Sequence, residues 1–286
     1  MPMIFLRLLS RLPLSVLYLL SDFLFLVGYY LLGYRRKTVW QNLKNSFPEK
    51  NEIELKKIEK EFYSNLCDYA LESLKLLTIS KTELEKRMVY QYPERIKAYA
   101  DRKQSVLLLA SHQFNWEWIL AAGSFNLPMN VDFVYQAQNS KLFNRFSMLC
   151  RTRFGGHPIK RENVARETIK RKDILRAIAI VADQFPNLGN DKRYWTPFLH
   201  QETAFFQAIN QLAVFTQYPT FFVSVKKVKR GFYEYELIEI AEPPYPEKTF
   251  HVVDAYAKAT ERVVQIYPES WLWSHKRWKK SRPSGE

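Results

Sequence analysis

Cysteine, glycine and metal-ligand spacing are what this chain has least of. Its 286 residues include two cysteines, Cys67 and Cys150, too few for a disulfide framework or a thiolate zinc site. Both are expected to be reduced. Cys150 stands beside Arg151, so it reads either as an activated nucleophile or as a buried structural thiol. The eight glycines form no Gly-rich phosphate loop, which removes the nucleotide-binding motifs built on one. Gly155-Gly156 reads as a turn. There is no Gly-x-Ser-x-Gly elbow to supply a serine nucleophile. His157, His200, His251 and His275 lack His-x3-His spacing, so no metal is expected. Acidic residues are in deficit, 29 against 43 Lys and Arg, a formal charge of +14. That balance favours anionic partners: nucleic acid, an anionic membrane surface, a phosphorylated lipid or an acidic protein.

What is present begins with a hydrophobic fraction of 47%, enough for a full core and against wholesale disorder. Between Arg11 and Arg35 lie 23 residues with one charge, Asp22. As a helix they span roughly 35 Å, enough to cross a bilayer core. No small-x-small cleavage site follows, so a retained anchor is expected. A carboxylate at mid-bilayer is costly, which keeps two alternatives open: a helix lying in the interface, or one docked on the body. Residues 1–36 are read as this anchor and residues 37–286 as the folded domain. The stretch "WLWSHKRWKKSRP" from Trp271 to Pro283 mixes tryptophan with cations. With an apolar N-terminus on the same chain, it reads as a segment at a bilayer surface rather than one stacking on nucleic acid.

A basic helical region follows the anchor, interrupted at Phe47-Pro48. From Ser105 the pattern changes. Strands are expected at Ser105–Ala110, Val131–Tyr135, Ile178–Ala182, Thr220–Val228 and Tyr233–Ile240, the last two as a hairpin. Helices are expected at Trp116–Ser124, Leu142–Thr152, Arg161–Lys172, Glu202–Thr216 and Val252–Ile266. This alternation predicts a three-layer α/β domain with a mixed, largely parallel sheet flanked by helices.

Two ionisable residues fall at matching places. His112 follows the strand "SVLLLA" and Asp183 follows "IAIVA". Open α/β sheets put their sites at the carboxyl ends of strands. Five residues after His112 comes Glu117, in "ASHQFNWEW". On one continuous helix that spacing would point the side chains about 140° apart. They meet if His112 lies in the turn and Glu117 in the first turn of the next helix. A carboxylate holding one imidazole nitrogen makes the other a tuned general base. Such a base suits removal of a proton from a hydroxyl attacking an acyl group. An isolated His-x4-Glu is so short a pattern that it fits better a strand-capping histidine beside an exposed glutamate.

Several blocks together resemble a known family. His112 with Asn115-Trp116-Glu117 resembles the His-x-Gly-Asn-Trp-Glu signature of the late lipid A acyltransferases, the lauroyl and myristoyl transferases within the lysophospholipid-acyltransferase-like superfamily. "VWQNLKNSFPE", "VYQAQNSKLFNRFSMLCRTRFGG", "VADQ" and "YPESWLWSHKRWK" are similar to further blocks of that family, in order along nearly the whole chain. The resemblance implies transfer of a fatty acyl chain from an acyl carrier protein thioester to a hydroxyl of a phosphorylated lipid A precursor. It implies no cofactor, no acyl-enzyme and no nucleic acid partner, and a place on the cytoplasmic face of the inner membrane. It makes His112 the base, Glu117 its orienting partner, Arg151 the functional arginine with Arg153 the fallback, and Asp183 a supporting acid. Asn115, Tyr135, Arg153 and Gln184 are expected to bind substrate. Phe114 stands where the family usually has Gly, and Gln136 where it commonly has Arg. Both departures keep open another lipid acceptor: a lysophospholipid, an amino-acid lipid or a glycolipid. A reading of a different class, a non-catalytic module that binds lipid or carrier protein, predicts damage to the His-Glu pair, and both members are present.

Overall fold

The computed structural model describes residues 2–187 and 191–283. Among them are nine strands: β1 Met88–Tyr90, β2 Val106–Ala110, β3 Asn130–Tyr135, β4 His157–Lys160, β5 Arg176–Val181, β6 Arg193–Phe198, β7 Gln201–Phe206, β8 Thr220–Lys229 and β9 Phe232–Ala241. Seven form one sheet in the order β1-β9-β8-β2-β5-β3-β4, and β6 and β7 form a separate hairpin. Neighbours from β8 to β4 run parallel, while β9 is antiparallel to β8 and parallel to β1. The architecture is α/β with a mostly parallel sheet, as the alternation predicts.

The helices are α1 Pro2–Ser10, α2 Leu14–Phe25, α3 Arg36–Ser46, α4 Glu52–Lys75, α5 Lys81–Arg87, α6 Pro93–Asp101, α7 Trp116–Asn126, α8 Lys141–Thr152, α9 Val164–Lys170, α10 Ala208–Thr216 and α11 His251–Ile266. A π-helical stretch, Leu26–Leu32, continues α2. The longest helix, α4, starts where a reciprocal capping box can form: the Asn51 side chain accepts from the Glu54 amide, and the Glu54 carboxylate accepts from the Asn51 amide.

Two cores lie on the two faces of the sheet, and β2 shows why. Successive strand side chains point to opposite faces, so Val106 and Leu108 join one core, while Leu107 and Leu109 join the other. The first core takes α7 and β9. The second takes α3, α10, α11 and the C-terminal tryptophans.

Four expectations are corrected. The segment expected as a helix from Glu202 is strand β7 up to Phe206, and the helix begins only at Ala208. Its hairpin turns on Leu199-His200, both with positive φ (49° and 62°). That is the sign pattern of a two-residue primed turn, formed without the usual Asn-Gly. The helix expected at Arg161–Lys172 is a 3-10 turn followed by the short α9. Strands β1, β4 and β6 have no counterpart in the sequence reading. The tryptophans of the C-terminal stretch are not at the surface: Trp271, Trp273 and Arg277 are buried, with Arg277 over the Phe205 ring, while Lys276 and residues 279–283 are exposed. The tryptophans find partners inside, so no bilayer is needed to cover them.

The N-terminal segment breaks at Pro13, and the part from Leu14 to Leu32 is long and apolar enough to cross a membrane by length and composition. It lies against the body with polar groups inward. Tyr18 donates to Glu72 at 2.8 Å, Ser21 to Asp68 at 2.7 Å and Tyr29 to Glu59 at 2.9 Å. Asp22 pairs with Arg230 at 2.6 Å. Leu19, Phe23, Leu26 and Tyr30, on the opposite face, are exposed. The helix docks on α4, with Leu19, Phe23 and Leu26 outward. Arg230 answers the cost of the Asp22 carboxylate.

The β8–β9 turn receives this helix. Gly231 has φ +74°, and a Cβ there would stand 2.0 Å from the Tyr18 hydroxyl oxygen. Gly231→Ala is therefore expected to push Tyr18 away and to cost about 2 kcal/mol. Thermal unfolding of the two proteins in detergent checks this; equal midpoints would contradict it.

Candidate active site

The site follows from strand register. β2 and β5 are parallel neighbours, with Ala110 opposite Val181. Two residues further along each strand come His112 and Asp183. The Asp183 Oδ1 lies 2.6 Å from the His112 Nδ1. Its Oδ2 accepts the His112 amide at 2.9 Å and the Trp271 indole N–H at 2.7 Å. Burial by itself raises the pKa of Asp183, but the His112 ring and amide and the Trp271 indole outweigh it and hold the carboxyl below the usual range. An ionised Asp183 makes Nδ1 the protonated nitrogen. Nε2 is then left as an acceptor, 3.3 Å from the Gln184 amide nitrogen.

This corrects the acid expected to pair with His112. Glu117 does sit in the first turn of α7, as the spacing predicts. However, its carboxylate is gripped by Arg151, Nε at 2.9 Å and Nη2 at 2.5 Å. The planar fork of the guanidinium matches both carboxylate oxygens, while the register of β2 and β5 delivers Asp183 to Nδ1. The orienting acid of His112 is therefore Asp183. The Trp116 ring meets His112 edge-on at 4.9 Å and stacks on Tyr69 at 4.0 Å.

The turn between His112 and α7 is strained and held. Phe114 adopts φ +42°, a region that favours glycine. Its ring is buried against Tyr233 and Tyr267, and its amide donates to the Ser270 carbonyl at 2.9 Å.

Other expected residues divide. Tyr135, Gln184 and Arg151 line a cleft of about 970 Å³ that opens beside His112. Arg153 turns away: its Nη1 donates to the Leu76 carbonyl at 2.7 Å. Between the two arginines, the cleft position is that of Arg151. Asn115 is not open to substrate. It is fully buried, its Oδ1 caps α7 at the Trp118 amide (3.0 Å), and its Nδ2 donates to Glu72 at 2.8 Å. Cys150 is the structural thiol of the two readings, since burial pushes it up to about 12.

The cleft runs between the sheet and α7. Leu108, Ile119, Leu127, Val131, Val223 and Leu237 give it an apolar wall, and it passes Gly123, where an added Cβ would meet nothing within 4 Å. Arg161, Lys192 and Lys279 also line it. So does His275, which the sequence reading left without a role. Its Nε2 accepts the Phe185 amide at 3.2 Å, and burial lowers its pKa to about 4, leaving a neutral ring. Trp271 and Glu72 were also missed. The tryptophan lies in a block quoted for the resemblance. The glutamate left a fainter trace: a lone acid beside the apolar positions Leu71 and Leu74 of α4. Among the described residues, no group of three or more His, Cys, Asp or Glu side chains is placed to hold a metal ion.

Fold and site together define an α/β protein with a carboxylate-held imidazole at the strand ends, over a large, mainly apolar cleft. The family model for bacterial lipid A biosynthesis acyltransferases matches residues 1–280. The chain belongs to that family, and its activity class is acyl transfer. A search of the curated proteins found none that matches the chain.

Glu72 yields a pH prediction. Burial raises its pKa from 4.5 to about 7. With a raised folded-state value, stability is full below the unfolded pKa and is lost as pH rises through about 7. Glu72→Gln, which stays neutral, is expected to gain on the wild type by up to ~3 kcal/mol between about pH 5 and 8. Unfolding midpoints across that range test it; a constant difference would contradict it.

Proposed function

We propose that the protein transfers a fatty acyl chain from an acyl carrier protein thioester to a hydroxyl of a phosphorylated lipid A precursor. The observation behind this is the His112 ring, held at Nδ1 by buried Asp183, with Nε2 beside Gln184 at an apolar cleft. About 970 Å³ is at the upper end of ligand-sized pockets, and an acyl chain suits its lining.

The step balances without a covalent enzyme intermediate. The acceptor oxygen attacks the thioester carbonyl while His112 Nε2 takes its proton. Asp183 keeps the reactive tautomer and stabilises the imidazolium that forms. The tetrahedral intermediate collapses, the C–S bond breaks, and the departing thiolate takes the proton from His112. Lys192 and Lys279 offer positive charge to the phosphates of the acceptor or to the acidic carrier, beside Arg161, which is paired with Asp191. No cofactor is needed, since the thioester is already activated. The outward apolar face of α2, flanked by Arg7, Arg11, Arg35 and Arg36, fits an anionic membrane surface. This reading places the enzyme on the cytoplasmic face of the inner membrane.

The test is acyl transfer by purified protein in detergent, with a panel of carrier-protein thioesters and a tetra-acylated lipid A precursor, products read by mass. His112→Ala is expected to lose about 10²-fold or more in turnover while staying folded. Near-normal activity would rule out its role as base. A wild type active only with another lipid acceptor would move the acceptor and keep the chemistry.

A second comparison separates the two acids. Asp183→Asn is expected to lower kcat by about 10²-fold or more through the wrong tautomer. Glu117→Gln is expected to show first as a lower unfolding temperature, because it leaves the Arg151 charge uncompensated. The opposite ranking in kcat would return the orienting role to Glu117.

A further inference from the structure

Glu72 lies in α4, distant in sequence from the strand-end site, and its side chain is fully buried. Three donors converge on it. Tyr18 reaches Oε1 at 2.8 Å, Tyr233 reaches Oε2 at 2.9 Å, and the Asn115 Nδ2 reaches Oε2 at 2.8 Å. Its backbone carbonyl accepts the Trp118 indole N–H at 2.8 Å. One residue thus touches the docked N-terminal helix, β9 and the start of α7. Through Asn115 it reaches the turn that carries His112 and Glu117. That turn includes Phe114 at φ +42°, a conformation that persists only where the surroundings hold it. Asp183 and the Ser270 carbonyl hold it from one side. From the other side the hold is Asn115, and Glu72 fixes Asn115.

We propose that Glu72 is a positioning residue for acyl transfer, clamping the His112–Glu117 turn through Asn115, and that Tyr18 makes the clamp depend on the docked N-terminal helix. This rests on the acyl-transfer reading above. The apolar helix then has two duties. Its outer face is available to lipid, and its inner face, through one phenol, completes the support of the site. A helix lifted from α4 would take the Tyr18 hydroxyl with it and leave Glu72 with fewer donors than it was buried with.

The test uses the full chain in detergent: wild type, Tyr18→Phe, Glu72→Leu, Glu72→Gln, and the double variant Tyr18→Phe/Glu72→Leu. Two readouts are taken well below the lowest unfolding midpoint. One is amide hydrogen exchange across residues 111–120, followed by mass spectrometry, which needs no activity. The other is kcat and KM for acyl transfer. Tyr18→Phe is expected to speed exchange in that segment and lower kcat about 5-fold, on the scale of one lost hydrogen bond, with KM little changed. Glu72→Leu is expected to do more of both. Glu72→Gln should restore most of the loss, because its amide can accept from Asn115 and donate to a tyrosine oxygen. The double variant should be no worse than Glu72→Leu alone, since Tyr18 acts through Glu72.

A merely structural role would lower the unfolding temperature and leave exchange in 111–120 and kcat of the folded protein unchanged; that result overturns the proposal. Tyr18→Phe keeps the test valid if Glu72→Leu does not fold. A wild type that transfers nothing, while Tyr18→Phe still loosens the turn, would overturn the acyl-transfer reading and support the clamp.

Discussion

The Asp183 carboxylate is the point on which the site is built. A buried ionised carboxylate is costly unless donors surround it, and here three do: the His112 ring, the His112 amide and the Trp271 indole. They come from two distant stretches of the chain. Their convergence joins the end of β5, the turn after β2 and the C-terminal stretch. It fixes the tautomer of His112 and draws Trp271 inside. Arg277 follows into the core, where burial lowers its pKa to about 10 although the Asp183 charge acts in the other direction.

A second constraint comes from α4. Its acids Glu59, Asp68 and Glu72 each accept a hydroxyl from the N-terminal segment. In a soluble protein an amphipathic helix turns its apolar stripe inward. Here α2 also turns polar groups inward: Tyr18 and Ser21 are satisfied inside beside the buried Leu14 and Leu17, while Leu19, Phe23 and Leu24 face out. That arrangement is comfortable against hydrocarbon and expensive against water. The site and the apolar face are thus linked through one helix, α4, with Glu72 at the junction.

The central strands were legible because both faces are buried. "SVLLLA" and "IAIVA" are continuous apolar runs, the mark of a parallel strand under helices on both sides. β1, at the edge of the sheet, is three residues long, and β4, at the other edge, is four; such runs are too brief to show a period. The β6–β7 hairpin turns on Leu199-His200, residues that do not announce a primed turn, so its second strand merged with α10 into one apparent helix. Within the site, His112 and Asp183 could be read as strand-end residues, and Glu117 as helix-start. Which acid meets the imidazole could not. The family resemblance favoured Glu117, while the one-to-one register of β2 and β5 chose Asp183 and left Glu117 to Arg151. Asn115 looked like a substrate ligand because it sits in the motif; it is a helix cap tied to a buried glutamate.

By itself, then, the sequence determined the α/β class, the largely parallel sheet, the apolar N-terminal helix, the positions of His112 and Asp183 at strand ends, and the family, because each is written in local pattern or in ordered motif blocks. Only the tertiary structure decided the partners: Asp183 for His112, Arg151 for Glu117, Glu72 for Asn115 and Tyr18, and a buried place for the C-terminal tryptophans. Hydrogen bonds and ion pairs act over a few ångströms, and the residues that come within that reach are set by register and helix docking, which bring together positions far apart in the chain.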